Sequence, residues 1–499
     1  MALNIYWIGL LILVPLVAFV AGHKIILRPL RSSKSEKTPT CARDDEAREF
    51  RKTFLRVYLL VMGSEWFQGP YMYSLFRDEK GLDEQTVAIL YVTTYISAAV
   101  SAFFTGYLAD KFGRRAACLV FCGIHSLASI SVLFNEVEVL IVGRVCGGIG
   151  LNLLWTAFES WMVTEYNTRE LDQSLFPLSS MFGLMTTSNC TTAILAGVLG
   201  HCIVLALGSK TDPFILGAFM DFCAAILMLR TWNENRGTAG TASLDDQCED
   251  GDDDHYQPPQ IGPIATLKDV RIWVLSFASC CFEGTIFLLM FFWPETLQDA
   301  HDKEHPEDKA AVPYGVTFAT FMAVMALGAM LFNMVTRNPG LRNEQLARTI
   351  GVTTPTLLLT IALAMSALSF LIAALAKAEI HLFLAFLLLE SCNGIYVPSM
   401  AYHRGMIVND SGRARIYGLM NIPLFIFVVV ALCTTSNNEA NHRQAVFVFS
   451  AALLLIAALA TFLGLRNSIG RKDVEKLPTD DTENVEADIM DDLLGQNVH

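Results

Sequence analysis

The chain predicts an all-α membrane protein: a twelve-helix bundle in two six-helix halves, preceded by one extra transmembrane helix. Three observations carry this. Of the 499 residues 53% are hydrophobic and only 17% charged, where a soluble domain carries about a quarter charged residues. The apolar residues gather in thirteen runs of roughly 20 residues, each long enough to cross a bilayer core. A polar break over 231–270 then leaves six runs on either side of it after the first.

The first run, 3–22, is uncharged and is followed by His23, Lys24, Arg28 and Arg31. It lacks the basic start and the A-x-A site of a cleaved signal peptide, so it reads as a membrane helix outside the core. Residues 1–53 comprise this helix and a basic connector; ten Lys and Arg lie between residues 24 and 56, which places the connector in the cytoplasm. The N-terminal bundle, 54–230, holds runs near 54–76, 86–108, 116–134, 138–162, 176–200 and 212–230. The C-terminal bundle, 271–466, holds runs near 271–294, 314–335, 352–374, 380–400, 414–434 and 444–465. Segment 231–270 is an acidic linker and 467–499 an acidic tail. With the connector inside, 28 of the 36 Lys and Arg fall on the cytoplasmic side and seven on the exterior. That asymmetry puts the linker and the C-terminus in the cytoplasm, with the plasma membrane as the expected location.

Charge and cysteine usage exclude several classes. Segments 231–265 and 467–499 hold seventeen of the 49 Asp and Glu, so the net charge of −13 describes solvated tails and offers nothing to nucleic acid. The twelve cysteines are scattered, with no C-x-x-C pair and no zinc-ligand spacing. No Walker loop and no G-x-S-x-G occurs, so no enzyme, cofactor, catalytic residue or metal is expected.

The fourth core run is the candidate pathway. It carries Arg144 near one end and Glu159 near the other, about 22 Å apart on a helix. A charge at membrane depth costs between about 3 and 15 kcal/mol, so both are expected to face a shared interior or wet cavity. Gly147, Gly148 and Gly150 lie between them, where small residues let a neighbouring helix approach. A weak internal repeat supports the placement. Leu140-xxx-Arg144-Val-Cys146-Gly-Gly148-Ile149 aligns with Phe386-xxx-Glu390-Ser-Cys392-Asn-Gly394-Ile395, and Glu65 and Glu283 fall at matching depths of the first and seventh core runs. Parallel repeats of this kind relate two halves by an axis along the membrane normal. The expected substrate or proton path comprises Glu65, Arg144, Glu159, Glu283 and Glu390, with Asn152, Asn393, Trp66, Gln68 and Tyr71 as polar and aromatic company. His125 reads as an interhelical hydrogen-bond donor, and Asp221 as either a gate partner or a cavity group.

Gly106-Tyr-Leu-Ala-Asp110-Lys-Phe-Gly113-Arg114-Arg115 closes the second core run. It resembles the loop signature of the major facilitator superfamily, G-x-x-x-D-x-x-G-R-[KR], at every defined position. The resemblance implies a cytoplasmic gate made by Gly106, Asp110, Gly113, Arg114 and Arg115. The basic helix signature around Arg144 resembles the second motif of that superfamily, found in proton-coupled members; the corresponding loop of the second half, after Gly328, is degenerate. Over most of 54–466 the chain is also similar to the eukaryotic molybdate-anion transporter branch. The pieces that carry this are Glu65-Trp66-Phe67-Gln68-Gly69-Pro70-Tyr71, Ala157-Phe158-Glu159-Ser160-Trp161, Phe282-Glu283 and Glu390-Ser-Cys-Asn-Gly-Ile-Tyr396-Val-Pro398-Ser399-Met400. What this implies is a secondary transporter of molybdate working by alternating access.

The residues themselves leave the cargo open. Only Arg144 supplies a cation well inside a span, with Arg404 near a helix end. An oxyanion fits if some glutamates carry protons, since a neutral carboxyl donates a hydrogen bond where a carboxylate repels. The alternatives are a carrier of a cationic or neutral polar metabolite on the same fold, and a receptor or scaffold that does not transport. The expected partners are a small anion, protons and the lipid bilayer.

Overall fold

The computed structural model describes residues 5–26, 39–169, 178–235, 269–307, 312–337, 353–407, 413–433 and 439–466, and these form helices and short connections without a strand. Nearly all of the linker, the tail and the second-half loop lie outside the described residues. In chain order the helices are α1 (Ile5–Ile26), α2 (Pro39–Gln68), α3 (Glu84–Ala102), α4 (Thr105–Phe112), α5 (Arg114–Ser131), α6 (Val137–Thr168), α7 (Leu178–Leu207) and α8 (Asp212–Thr231). After the linker come α9 (Val270–Glu304), α10 (Tyr314–Arg337), α11 (Thr354–Leu375), α12 (Glu379–Ile407), α13 (Arg413–Cys433) and α14 (Glu439–Gly464).

Among the described residues nine helices are long and apolar enough to cross a membrane. Over the described residues α1 and α13 present shorter apolar stretches, Ile5–Val20 and Pro423–Cys433, and two more helices miss that measure for visible reasons. The first half of α2 is the charged connector, continuing as helix back to Pro39, and α5 opens on two arginines. Two expected runs break. The first core run leaves regular helix at Gly69-Pro70, passing through a 3₁₀ turn and a π-turn over Leu75–Glu79. The second stops at Ala102, and the gate motif occupies the separate short helix α4. At this break Ser101 donates to Ala98 O and Thr105 to Ser101 O, and such back-bonding bends helices.

Within the first half α2 packs on α7 and α8, α3 on α6, and α5 on α6 and α8; within the second α9 packs on α12, α13 and α14, and α11 on α12 and α14. Two seams join the halves, α3 against α13 and α7 against α10. The α7–α10 seam is close because both sides are glycine: a Cβ on Gly197 would lie 2.6 Å from Gly315 O. Helix α1 lies against α10, with Tyr6 edge-on to Phe383 at 4.9 Å and Trp7 beside His201. Helix α8 ends and α9 begins at one end of the bundle, the linker end. Aromatic contacts between halves sit away from it. Tyr73 and Tyr91 both meet Phe291, and Trp66 meets Phe318.

Candidate functional site

Glu65 of α2 is half-buried, and its carboxylate lies 3.1 Å from Nε2 of His125 on α5. Nδ1 of the same ring lies 2.7 Å from Asp221 of α8, a residue with no exposed surface. Ser64 Oγ approaches Nδ1 at 3.2 Å. An imidazole donates from both nitrogens only when protonated, so this three-helix chain either carries a cation between two anions or leaves a carboxyl protonated. One turn further along α2, Gln68 donates to Ser129 of α5 at 2.9 Å. His125 is therefore a junction between helices, and Asp221 is its buried anchor.

Arg144 is 5% exposed. Its guanidinium stacks over Phe76 at 5.5 Å, approaches Met72 Sδ at 3.0 Å and donates to Ala128 O at 3.4 Å. Its Nε has no partner. Among the described residues no carboxylate pairs with it, although its charge is felt at Glu65 and Tyr91. The helix can bury it because α6 is narrow here: a Cβ on Gly148 would lie 2.7 Å from Ser97 Cβ and 2.9 Å from Ala98 N on α3.

The repeat-related positions of the second half are differently served. Glu283 of α9 accepts from Ser279 at 2.8 Å, from Tyr396 of α12 at 2.9 Å and from Arg404 of α12 at 3.0 Å. Arg404 also donates to Ser279 at 2.6 Å, and Tyr396 stacks on Phe282 at 3.9 Å. Glu390, where the first half has Arg144, has no exposed surface. Asn393 donates to its Oε2 at 3.1 Å, and its Oε1 has no partner.

The remaining expected path residues divide. Trp66 donates to Asn189 at 2.6 Å, and Tyr71 packs its ring on Gly200 beside Gly315, so both belong to the seam between halves. Asn152 donates to Thr105 at 2.5 Å, a strut between α6 and α4. Glu159 is exposed and its charge is felt at Tyr58. The structure does not bring it together with Arg144.

At the linker end the gate motif is tied to α6 and to the first residues of the linker. Gly113 has φ 120°, and a Cβ there would collide with the carboxylate of Glu234. That carboxylate caps α5 by accepting from the backbone N–H of Arg115 at 2.9 Å and Ala116 at 3.2 Å. Arg115 donates to Trp232 O at 2.8 Å; Arg114 donates to Ser160 O and to Thr164. Trp161 stacks on Trp232 at 3.7 Å beneath them. Gly106 is exposed with open space around it. The side chain of Asp110 lies outside the described residues.

The expected path thus omits His125, Asp221, Arg404 and Tyr396. Each is polar and lies in or near a span, and Tyr396 also falls in the stretch that begins at Glu390.

A helical bundle in two halves, with charged groups buried at repeat-related depths, defines a multi-pass membrane transporter rather than an enzyme. The chain belongs to a family described as sugar transporters with twelve transmembrane spans, whose model matches residues 12–387, within the major facilitator superfamily. It is 28% identical to a molybdate-anion transporter of Takifugu rubripes over 488 residues, covering 93% of this chain and 95% of that one. A molybdate-anion transporter of Xenopus tropicalis is 27% identical, with 97% and 99% covered. Among solved structures, the peptide transporter PepTSo superposes with a TM-score of 0.63 at 12% identity, covering 84% of this chain and 98% of that one, a likeness of fold.

Proposed function

We propose that this protein is a secondary transporter that takes up molybdate across the plasma membrane by alternating access, with protons as the coupled ion. The observation that carries the reading is similarity along nearly the whole chain to relatives named molybdate-anion transporters. The site chemistry supports it. A tetrahedral oxyanion is best held by a guanidinium fork, and Arg144 is buried, unpaired with any described carboxylate, and has an unclaimed Nε. Arg404, by contrast, is committed to Glu283. The chain Glu65–His125–Asp221 leads from a partly accessible carboxylate to a sealed one, which suits a group that gains and loses a proton. In the positive-inside orientation the linker end is cytoplasmic, and the aromatic contacts between halves close the exterior side.

Radiolabelled molybdate uptake into proteoliposomes, with and without a pH gradient, is the test. Uptake should rise as external pH falls from about 7.5 to about 5.5, a range open to a buried carboxyl, and Glu65→Gln should flatten that rise. Molybdate left untransported at every pH, with a cationic solute carried instead, would overturn the reading. The family description favours one other cargo, a neutral sugar; labelled glucose taken up by the same vesicles, with molybdate excluded, would establish it.

A further inference from the structure

Where α9 meets α12, at the end away from the linker, two imidazoles and a carboxylate converge. His301 lies in the last turn of α9, His305 is the residue that caps it, and Glu379 is the first residue of α12. His301 Nδ1 is 3.0 Å from Glu379 Oε2 and His305 Nε2 is 3.8 Å from the same oxygen. One ligand atom from each residue lies within 4.8 Å of the other two. Spacing of i, i+4 puts both imidazoles on one helix face, with the carboxylate supplied from the neighbouring helix.

Two further observations point to a ligand. His301 and Glu379 are 5% and 4% exposed, yet His301 Nε2 and Glu379 Oε1 have no hydrogen-bond partner. Buried polar atoms are normally satisfied, and each orphan calls for an explanation. The surroundings also favour a cation. The C-terminal dipole of α9 is negative, and Glu304 Oε1 accepts from the backbone N–H of Glu379 at 3.1 Å, adding a second acid. The hydroxyl of Tyr6, from α1, lies beside Glu379.

We propose that His301, His305 and Glu379 form a binding site for a first-row divalent metal ion, with zinc the best fit. Two imidazoles and a carboxylate form a donor set for Zn²⁺, leaving a fourth position for water. Tetrahedral Zn²⁺ with ligand bonds near 2.1 Å places its donors roughly 3.4 Å apart, so His301 and Glu379 are already near that spacing and His305 must move in by up to about 1.4 Å. His305 is exposed at the end of its helix and is free to make that movement. Mg²⁺ and Ca²⁺ prefer all-oxygen shells and are poor competitors here. The bound ion ties the end of α9 to the start of α12, a staple on the second half that no part of the transport path uses.

The test is calorimetric titration of the full-length protein, purified in detergent and stripped with chelator, using ZnCl₂ and then MgCl₂. One zinc site is expected and none for magnesium. Loss of outer-sphere partners alone weakens metal sites about 10–100-fold, so His305→Ala should weaken zinc binding by more than about tenfold. Glu379→Gln should do the same, and His381→Ala, an exposed histidine two residues from Glu379, should not. Because His305 is exposed, its replacement leaves the fold intact if the buried Glu379→Gln does not. Zinc binding equal in the parent and His305→Ala, or no zinc binding in the parent, would overturn the proposal.

Discussion

The two halves place ionisable groups at positions related by the sequence repeat and then treat them oppositely. In the first, Glu65 is joined through His125 to Asp221, which has no exposed surface, while Arg144 lacks a described carboxylate partner. In the second, Glu283 is matched directly by Arg404 and Tyr396, while Glu390 keeps an orphan oxygen. Each half therefore contains one closed network and one open charge, and the open charges have opposite signs. The lesson is that depth in the membrane selects where a charge can sit, and the packed neighbours decide what it is for.

Breaking the closed network of the first half should have the largest effect. Removing one partner of a buried ion pair costs about 3–5 kcal/mol, so Asp221→Ala should markedly lower the thermal midpoint of the purified protein. Adding His125→Ala to that background should destabilise much less than the sum of the two changes, since they share one network. Strictly additive losses would show that the His125–Asp221 contact is not a unit.

Arg144→Gln comes next, and it acts on transport rather than on the fold. Charge-assisted hydrogen bonds contribute about 1.5–3 kcal/mol, which is roughly a 10–150-fold loss of molybdate affinity. Arg144→Lys keeps the charge without the planar fork and should also bind more weakly than the parent. Glu390→Gln should leave affinity within a few-fold of the parent. Uptake concentration curves at matched protein density check all three; unchanged affinity in Arg144→Gln would reassign the open charge to structure.

In the second half, Glu283→Gln breaks a pair whose side chains retain 29% and 20% exposure. With water still able to solvate the freed Arg404, the stability loss should stay near about 1 kcal/mol, well below that of Asp221→Ala. A thermal shift as large as that of Asp221→Ala would erase the contrast between halves.

The smallest effect belongs to Glu234→Ala, which removes the cap of α5 beneath the gate loop. Loss of such a cap costs typically about 1 kcal/mol, readable as a modest drop in thermal midpoint. Turnover should be nearly unchanged, whereas Asp110→Asn in the same loop should slow it at constant affinity by shifting the balance of conformations. Equal turnover in Asp110→Asn and parent would remove the loop from the gate.

The buried ionisable residues were legible one at a time. Glu65, Arg144, Glu283 and Glu390 announce themselves because a charge inside an apolar run is costly and must be matched. Their partners were harder. His125 reads as an ordinary interhelical donor, and Arg404 lies three residues before the end of α12, in a last turn where basic residues are common. Asn152 and Glu159 share the fourth run with Arg144, yet one binds Thr105 and the other is exposed. A few tens of degrees of helix rotation separate these outcomes, and hydropathy does not report rotation.

The sequence by itself determined that the chain is an all-α membrane bundle. The physical reason is local: each span needs about 20 apolar residues, and helix satisfies its backbone hydrogen bonds without help from elsewhere. Only the tertiary structure decided which charges meet. The Glu65–His125–Asp221 chain spans 156 positions of sequence, the Glu283–Arg404 pair joins α9 to α12, and His301, His305 and Glu379 converge across 78 positions. Such contacts depend on which helix faces pack together, and that is set by all the neighbours at once, down to the paired glycines of the α7–α10 seam.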